Sequence, residues 1–256
     1  MRENTAKATL DFFQLEGQSA IVTGAGNGIG RSVALILAGL GAKVAVCDIE
    51  ADSAVAVVRE IEEKGGTAIA CPCNVCLLED VKKTVEATVN AFGTVDILVN
   101  NAGGGGGGKR LEDMTYPEWD RLIQLNLTSA YMFSMEVLPC MRKQKRGKIC
   151  NVSSGAGIVG DFSDVHYAAS KAGMLGMTKE MARELAKDHI NVNALGTGLT
   201  DTRMSRRRGL EQASKEILWP RVGTPEDQAY SIVFLVSEAA EYLTGQMICP
   251  NGGSWM

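Results

Sequence analysis

The chain has 256 residues, enough to bury a full core within one α/β domain. Hydrophobic residues make up 45% and charged residues 22%, a globular balance that excludes a disordered chain. A net charge of −4 argues against a nucleic-acid surface, no apolar run reaches membrane-spanning length, and the polar N-terminus predicts no signal peptide.

Residues 1–16 read as a loose arm leading into a first strand that ends near Val22. Thr23, Gly24, Asn27, Gly28, Ile29 and Gly30 come immediately after it, and apolar residues at helical spacing then run over residues 32–40. Strand, glycine turn and helix together predict a phosphate cradle. Bare glycines let the backbone approach a pyrophosphate, and the new helix aims its unpaired N–H groups and positive dipole end at it. The spacing is T-G-x-x-x-G-x-G through Thr23, Gly24, Gly28 and Gly30, whereas G-x-G-x-x-G fails from either Gly24 or Gly26. A tight strand-to-helix turn is the plainer reading of the same residues.

A second strand over residues 43–47 ends on Asp48, 18 residues past Gly30. An acidic group there can accept hydrogen bonds from both ribose hydroxyls and would repel a 2′-phosphate. Asn27 offers that phosphate no charge, so NAD is expected over NADP. The alternative for Asp48 is a helix N-cap. Helices are expected over residues 51–64 and 78–92, and strands over 67–71 and 95–99. This alternation predicts a Rossmann-like, doubly wound parallel sheet flanked by helices, without an internal repeat or linker.

Asn101, Ala102 and Gly103 leave the fourth strand and run into glycines through Gly108. Residues 100–103 are expected to order against a cofactor and residues 104–108 to form a mobile rim. Residues 116–143 read as one long helix, 147–152 as a strand, 165–188 as a second long helix and 190–194 as a strand. Residues 199–219, polar and carrying Arg206, Arg207 and Arg208, read as a substrate lid. The triple arginine is more simply a solvated face. A helix over 225–237 and a strand over 245–249 close the chain.

Seven cysteines, an odd number scattered among predicted strands and helices, suit reduced thiols in a cytoplasm. Only Cys71, Cys73 and Cys76 cluster, and no second Cys/His pair at zinc spacing accompanies them. They read as small apolar residues at a strand end, and no metal site is expected.

The second long helix carries Tyr167 and Lys171 at i and i+4, on one face. A lysine ammonium beside a phenol favours the phenolate, drawing an ordinary pKa of ~10 toward working pH. Such a tyrosine can exchange the proton of a carbonyl/alcohol pair while hydride moves to or from a nicotinamide. Ser154, 13 residues upstream at a strand end, can reach the same oxygen. Asn126 lies inside the first long helix, where its amide is expected to kink the helix and hold a water for proton relay. Read singly, these are a surface pair, a turn serine and a polar group at a packing seam.

Thr23 to Gly30, Asp48, Asn100 to Gly103, Asn126, Ser154, Tyr167 and Lys171 occur in the order seen in the short-chain dehydrogenase/reductase family. The resemblance runs from about residue 15 to residue 253, including Arg221 to Asp227 and Asn251-Gly252-Gly253. It implies a seven-stranded sheet, NAD(P)-linked oxidoreduction and a homotetramer formed through the long helices and last strand. By matching position it implies Tyr167 as acid/base, Lys171 as the residue holding the nicotinamide ribose, Ser154 as substrate-positioning and Asn126 as support for the proton relay. Asn74, with Val75 beside it, stands where the family usually has an aspartate contacting adenine. Leu195-Gly196-Thr197-Gly198 replaces a Pro-Gly turn, which is expected to loosen the loop that meets the carboxamide, although Thr200 still matches.

The expected activity is NAD-dependent interconversion of a secondary alcohol and a ketone, a small-molecule substrate. The glycine-rich loop looks like that of some bacterial hydroxysteroid dehydrogenases, which makes a bulky cyclic alcohol conceivable. A 3-ketoacyl-thioester reductase is the rival, with Arg206 to Arg208 offered to a phosphopantetheine or carrier protein. It more often uses NADPH, which Asp48 disfavours. A catalytically idle NAD-sensing protein on the same scaffold is the reading of another class, opposed by the intact Asn126, Ser154, Tyr167 and Lys171.

Overall fold

Short apolar runs punctuated by glycine become strands buried on both faces, which only a covered parallel sheet provides. The computed structural model describes residues 11–105, 108–160, 164–206 and 217–256. Its strands are β1 (Ser19–Thr23), β2 (Lys43–Asp48), β3 (Thr67–Pro72), β4 (Ile97–Asn100), β5 (Gly147–Ser154), β6 (Ile190–Thr197) and β7 (Met247–Ile248). All pair in parallel in the order β3-β2-β1-β4-β5-β6-β7. The chain winds outward from β1 to β3, returns to the middle at β4 and winds out the other way. The order therefore reverses between β1 and β4, and a crevice opens at their carboxyl ends.

Helices cover both faces. They are α1 (Gly28–Gly39), α2 (Ala51–Glu63), α3 (Leu78–Phe92), α4 (Tyr116–Ile123), α5 (Ser129–Gln144), α6 (Ala156–Val159), α7 (Val165–Leu185), α8 (Arg203–Arg206) and α9 (Pro225–Val236). One apolar layer packs Val33 and Leu37 of α1, Ile61 of α2 and Ile232 of α9 on Val22, Val46 and Val99. The opposite layer packs Val81 of α3, Phe133 of α5 and Leu185 of α7 on Ile21, Leu98 and Ile149. Cys47, Cys71 and Cys73 are buried in this second layer, where burial pushes the Cys71 thiol up to about 11.

Two segments differ from expectation. The helix expected over residues 116–143 with a kink at Asn126 is divided there into α4 and α5, and the kink takes the form of a π-helical turn, Gln124–Thr128. There the Ser129 N–H donates to the Gln124 carbonyl, five residues back. One extra residue in the turn rotates α5 relative to α4 and directs the buried Asn126 inward. The N-terminal arm, expected loose, is docked at its inner end. Leu15 is fully buried, and its N–H donates to the Leu40 carbonyl at 2.8 Å. Residues 1–10 of that arm lie outside the described residues.

Leu15 fills the angle between the entry to β1 and the end of α1. Leu15→Ala is expected to lower stability by about 2–5 kcal/mol through the cavity it leaves. A urea titration checks this, and an unchanged midpoint would mean the side chain contributes no packing.

Candidate active site

The crevice between β1 and β4 is closed at its base by two side chains. The Thr23 hydroxyl oxygen accepts the N–H groups of Asn101 (3.0 Å) and Ala102 (2.9 Å) and donates to the Val99 carbonyl at 3.3 Å. The Asn101 amide returns the tie, donating to the carbonyls of Thr23 (2.8 Å) and Gly24 (3.1 Å). Both side chains are thus spent on joining β1 to β4. Glycine is required where these loops meet. A methyl on Gly30 would collide with the Gly24 carbonyl, and one on Gly24, already at φ +62°, would lie 3.0 Å from Ala102 Cα. Asn27 is the exposed N-cap of α1, yet its side chain makes no cap bond. Gly28 is half-buried with φ +55°, and Ile29 packs against the core.

Asp48 closes β2 beside this turn. Its Oδ2 accepts the Gly26 N–H at 2.8 Å and its Oδ1 the Glu50 N–H at 3.0 Å. Glu50, not Asp48, is the N-cap of α2, so the capping alternative fails. Asn74 Oδ1 accepts the Cys76 N–H at 3.1 Å, and Val75 is buried behind it.

Beyond Ala102 the same loop reaches α7. A Cβ on Gly103 would lie 3.0 Å from Asn126 Oδ1 and 3.5 Å from Lys171 Nζ. Asn126 Oδ1 accepts the Gly104 N–H (2.8 Å), and its Nδ2 donates to the Gly104 carbonyl (3.0 Å) and to Ser170 Oγ (3.0 Å). Ser170 Oγ in turn donates to the Tyr167 carbonyl at 2.7 Å. The π-turn places this amide between the loop and α7, where it bonds to both. Residue 104, expected at the start of a mobile rim, is held by this pair of bonds.

Lys171 is buried. Its Nζ donates to the Val152 carbonyl at 2.7 Å and lies 5.8 Å from the centroid of the half-buried Tyr167 ring. Ser154 ends β5, and its Oγ accepts the Ala156 N–H at 3.3 Å. Its neighbour Ser153 donates to the Lys171 carbonyl at 2.8 Å, which locks β5 to α7.

On the far side, Gly196 is buried in β6, where a Cβ would lie 2.9 Å from Cys249 Sγ. A Cβ on Gly198 would lie 2.5 Å from Asn251 Cα. Thr200 is buried, bridges to Gly223 and donates to the Gly198 carbonyl at 3.0 Å. The loop expected to be loosened is braced, because glycine here permits close backbone approach to Asn251. In the expected lid, Arg206 is paired with Asp201 through two bonds of 2.6 and 3.0 Å, and Arg203 reaches Glu50 at 3.4 Å. Arg207, Arg208 and the rest of residues 207–216 lie outside the described residues. The indole of Trp255, not foreseen from sequence, lies against Gly155 beside Ser154.

A family model described as short chain dehydrogenase matches residues 18–213. The chain belongs to the short chain dehydrogenase family. A 3-oxoacyl-(acyl-carrier-protein) reductase of Thermotoga maritima is 40% identical over 243 residues, covering 94% of this chain and 98% of the relative. A reductase of the same name from Staphylococcus epidermidis is 41% identical over 243 residues, covering 93% and 99%. A solved 7α-hydroxysteroid dehydrogenase, complexed with NADH and 7-oxo glycochenodeoxycholic acid, has a TM-score of 0.91 and 37% identity, covering 95% of this chain and 96% of its own. This short chain dehydrogenase is an oxidoreductase, and its family uses a nicotinamide coenzyme.

The residues present fit such a group. An α1 N-terminus without a side-chain cap, glycines that exclude any methyl, and a carboxylate aimed by two N–H groups suit a pyrophosphate and an adjoining ribose.

Burial draws the Lys171 ammonium down from its ordinary 10.5 to about 8. Between those values the unfolded chain holds the proton and the folded chain does not. Unfolding then takes up a proton, so stability rises with pH across that window. In the coenzyme-free protein, the unfolding free energy is expected to gain a component between pH 8 and 10.5 that Lys171→Met abolishes. Urea titrations of both proteins check this, and identical pH slopes would contradict it.

Proposed function

We propose that the chain interconverts a secondary alcohol and a ketone with NAD, using Tyr167 as general acid/base. The observation that carries this reading is the buried Lys171 ammonium, held at the Val152 carbonyl 5.8 Å from the Tyr167 ring. A cation so placed favours the phenolate and lets the phenol work as an acid/base near neutral pH. In reduction the Tyr167 hydroxyl gives its proton to the carbonyl oxygen; in oxidation the phenolate takes it back. Ser154 Oγ donates a hydrogen bond to the same oxygen and orients it. Asn126 acts on Tyr167 through Ser170 and on the loop through Gly104. A bound NAD(H) supplies or accepts the hydride.

Gly24, Gly28 and Gly30 would take the pyrophosphate, Asp48 the adenosine ribose, and Asn74 with Val75 the adenine. Thr23 and Asn101 shape the cradle through their mutual bonds. Ala102, Gly103, Gly196, Gly198 and Thr200 would border the nicotinamide half, with Lys171 on its ribose. Asp48 and the neutral Asn27 favour NAD. The NADH named with the hydroxysteroid dehydrogenase supports the same choice.

Likeness to that enzyme supports a bulky cyclic ketone. The reductases at 40% and 41% identity support a second reading, a 3-oxoacyl thioester. Arg206, offered to that substrate's phosphopantetheine or carrier, is paired with Asp201 at the surface. Turnover of steroid ketones, small cyclic ketones and acetoacetyl thioesters with NADH and NADPH separates the two. Seven free thiols, and no helix among the described residues long and apolar enough to cross a membrane, support a cytoplasmic setting. Exposed Tyr131 and Met135 on α5 and Val165 on α7 support a homotetramer built along these helices.

Tyr167→Phe is expected to cut kcat by about 10²- to 10⁴-fold while NADH still binds. Stopped-flow turnover with fluorescence titration checks this, and equal turnover would remove Tyr167 from the proton path. Asp48→Ala is expected to raise kcat/KM with NADPH relative to NADH. An unchanged ratio would remove the reason for naming NAD.

A further inference from the structure

The residue that starts α7 has a carboxylate that serves another segment. Asp164 is the N-cap, and its backbone carbonyl accepts the N–H groups of Tyr167 (3.0 Å) and Ala168 (3.1 Å). An N-cap aspartate ordinarily turns its side chain onto the first free N–H groups of its own helix. Asp164 makes no such bond. Its Oδ2 instead accepts the Gly108 N–H at 3.1 Å and its Oδ1 the Lys109 N–H at 2.6 Å. These partners lie 56 and 55 residues away in sequence, at the far end of the glycine run.

Asp164 is only 5% exposed. A carboxylate withdrawn from water is tolerated when hydrogen-bond donors replace its hydration, so releasing Gly108 and Lys109 would strand a buried charge. The Lys109 ammonium also meets Glu118, which belongs to the capping box of α4 with Thr115. The other end of the run is fixed at Gly104 by Asn126, itself bonded to Ser170 of α7. Gly104 and Gly108–Lys109 are therefore both referred to the helix that carries Tyr167. Among the described residues, Gly108 and Lys109 bond to Asp164 and Glu118, and not to the glycine turn after β1 or to Asp48.

We propose that Asp164 is a positioning residue for the substrate. By holding Gly108 and Lys109 at a fixed place relative to the Tyr167 hydroxyl, it sets the wall against which a ketone packs. This rests on the reading of Tyr167 as the proton donor. The effect belongs to substrate KM rather than to coenzyme affinity, and it is larger for a bulky ketone that reaches the wall than for a small cyclic one.

The test uses Asp164→Asn and Asp164→Ala in the full chain, with steady-state kinetics on a steroid ketone and on cyclohexanone, NADH titration, and amide hydrogen exchange. Asparagine turns an N–H toward one of the two loop donors and breaks that bond; alanine removes both. Both variants are expected to raise steroid-ketone KM by roughly tenfold or more, with cyclohexanone KM, NADH Kd and kcat within about threefold. Exchange at Gly108 and Lys109 is expected to accelerate by at least about tenfold. Unchanged steroid KM overturns the proposal even if exchange accelerates. So does a joint fall in kcat, NADH affinity and melting temperature, which marks a purely structural role. Should the alanine variant fail to fold, the asparagine variant decides. If the parent chain turns over no ketone, the Tyr167 reading fails; unchanged exchange in Asp164→Asn would then separately reject the clamp.

Discussion

The chain leaves β4 through Asn101, Ala102, Gly103 and Gly104, and this segment meets a different part of the site at each step. The N–H groups of Asn101 and Ala102 belong to Thr23, Gly103 lies against Asn126 and Lys171, and both polar groups of the Gly104 backbone belong to Asn126. The cradle on β1 and the helix α7 that carries Tyr167 share no strand or turn. Their common reference is this segment. Each buried bond contributes only about 0.5–1.5 kcal/mol net, but leaving its partner unsatisfied costs about 1–3 kcal/mol. The bonds therefore hold the segment at several points, and side chains at 103 and 104 would crowd Asn126 and Leu125.

Charge is distributed to match. Within the site, the buried Lys171 sits at the carboxyl end of β5 on a carbonyl oxygen, and among the described residues no carboxylate pairs with it. Its Nζ lies 5.8 Å from the centroid of the Tyr167 ring. The half-buried Asp48 and the buried Asp164 lie at the two outer edges of the site, each oriented by two backbone N–H groups. Backbone donors fix a carboxylate while leaving it charged. On the proposed reading, Asp48 would disfavour a second anion beside it, and the centre between the two carboxylates would serve a neutral carbonyl.

Much of this was legible in the order of residues, for physical reasons. Doubly buried strands must be apolar runs, and α3 ends where Gly93 takes the left-handed conformation at φ 90°, so its limits can be read from the sequence. The glycine turn and the Tyr167/Lys171 pair are local in sequence and could be read there. A kink at Asn126 was legible, but its π-turn form was not, since one inserted residue only shifts the apolar phase by one position. Nor was the bracing of Gly198 by Asn251, the docking of Leu15 on Leu40, or the reach of Asp164 to Gly108, because each joins residues far apart in the chain. Asp164 carried a faint signal, an acidic residue at a helix start, which ordinarily means only a cap.

The proposed chemistry requires Ser154 and Tyr167 to converge on one reacting oxygen, with Lys171 beside Tyr167. A crystal structure of the chain with NADH and a turned-over ketone, or its unreactive analogue, measures that directly. The substrate oxygen is predicted to lie within about 3 Å of both the Tyr167 hydroxyl and Ser154 Oγ. An oxygen bound elsewhere, or a phenol turned out of the crevice with coenzyme in place, would contradict it.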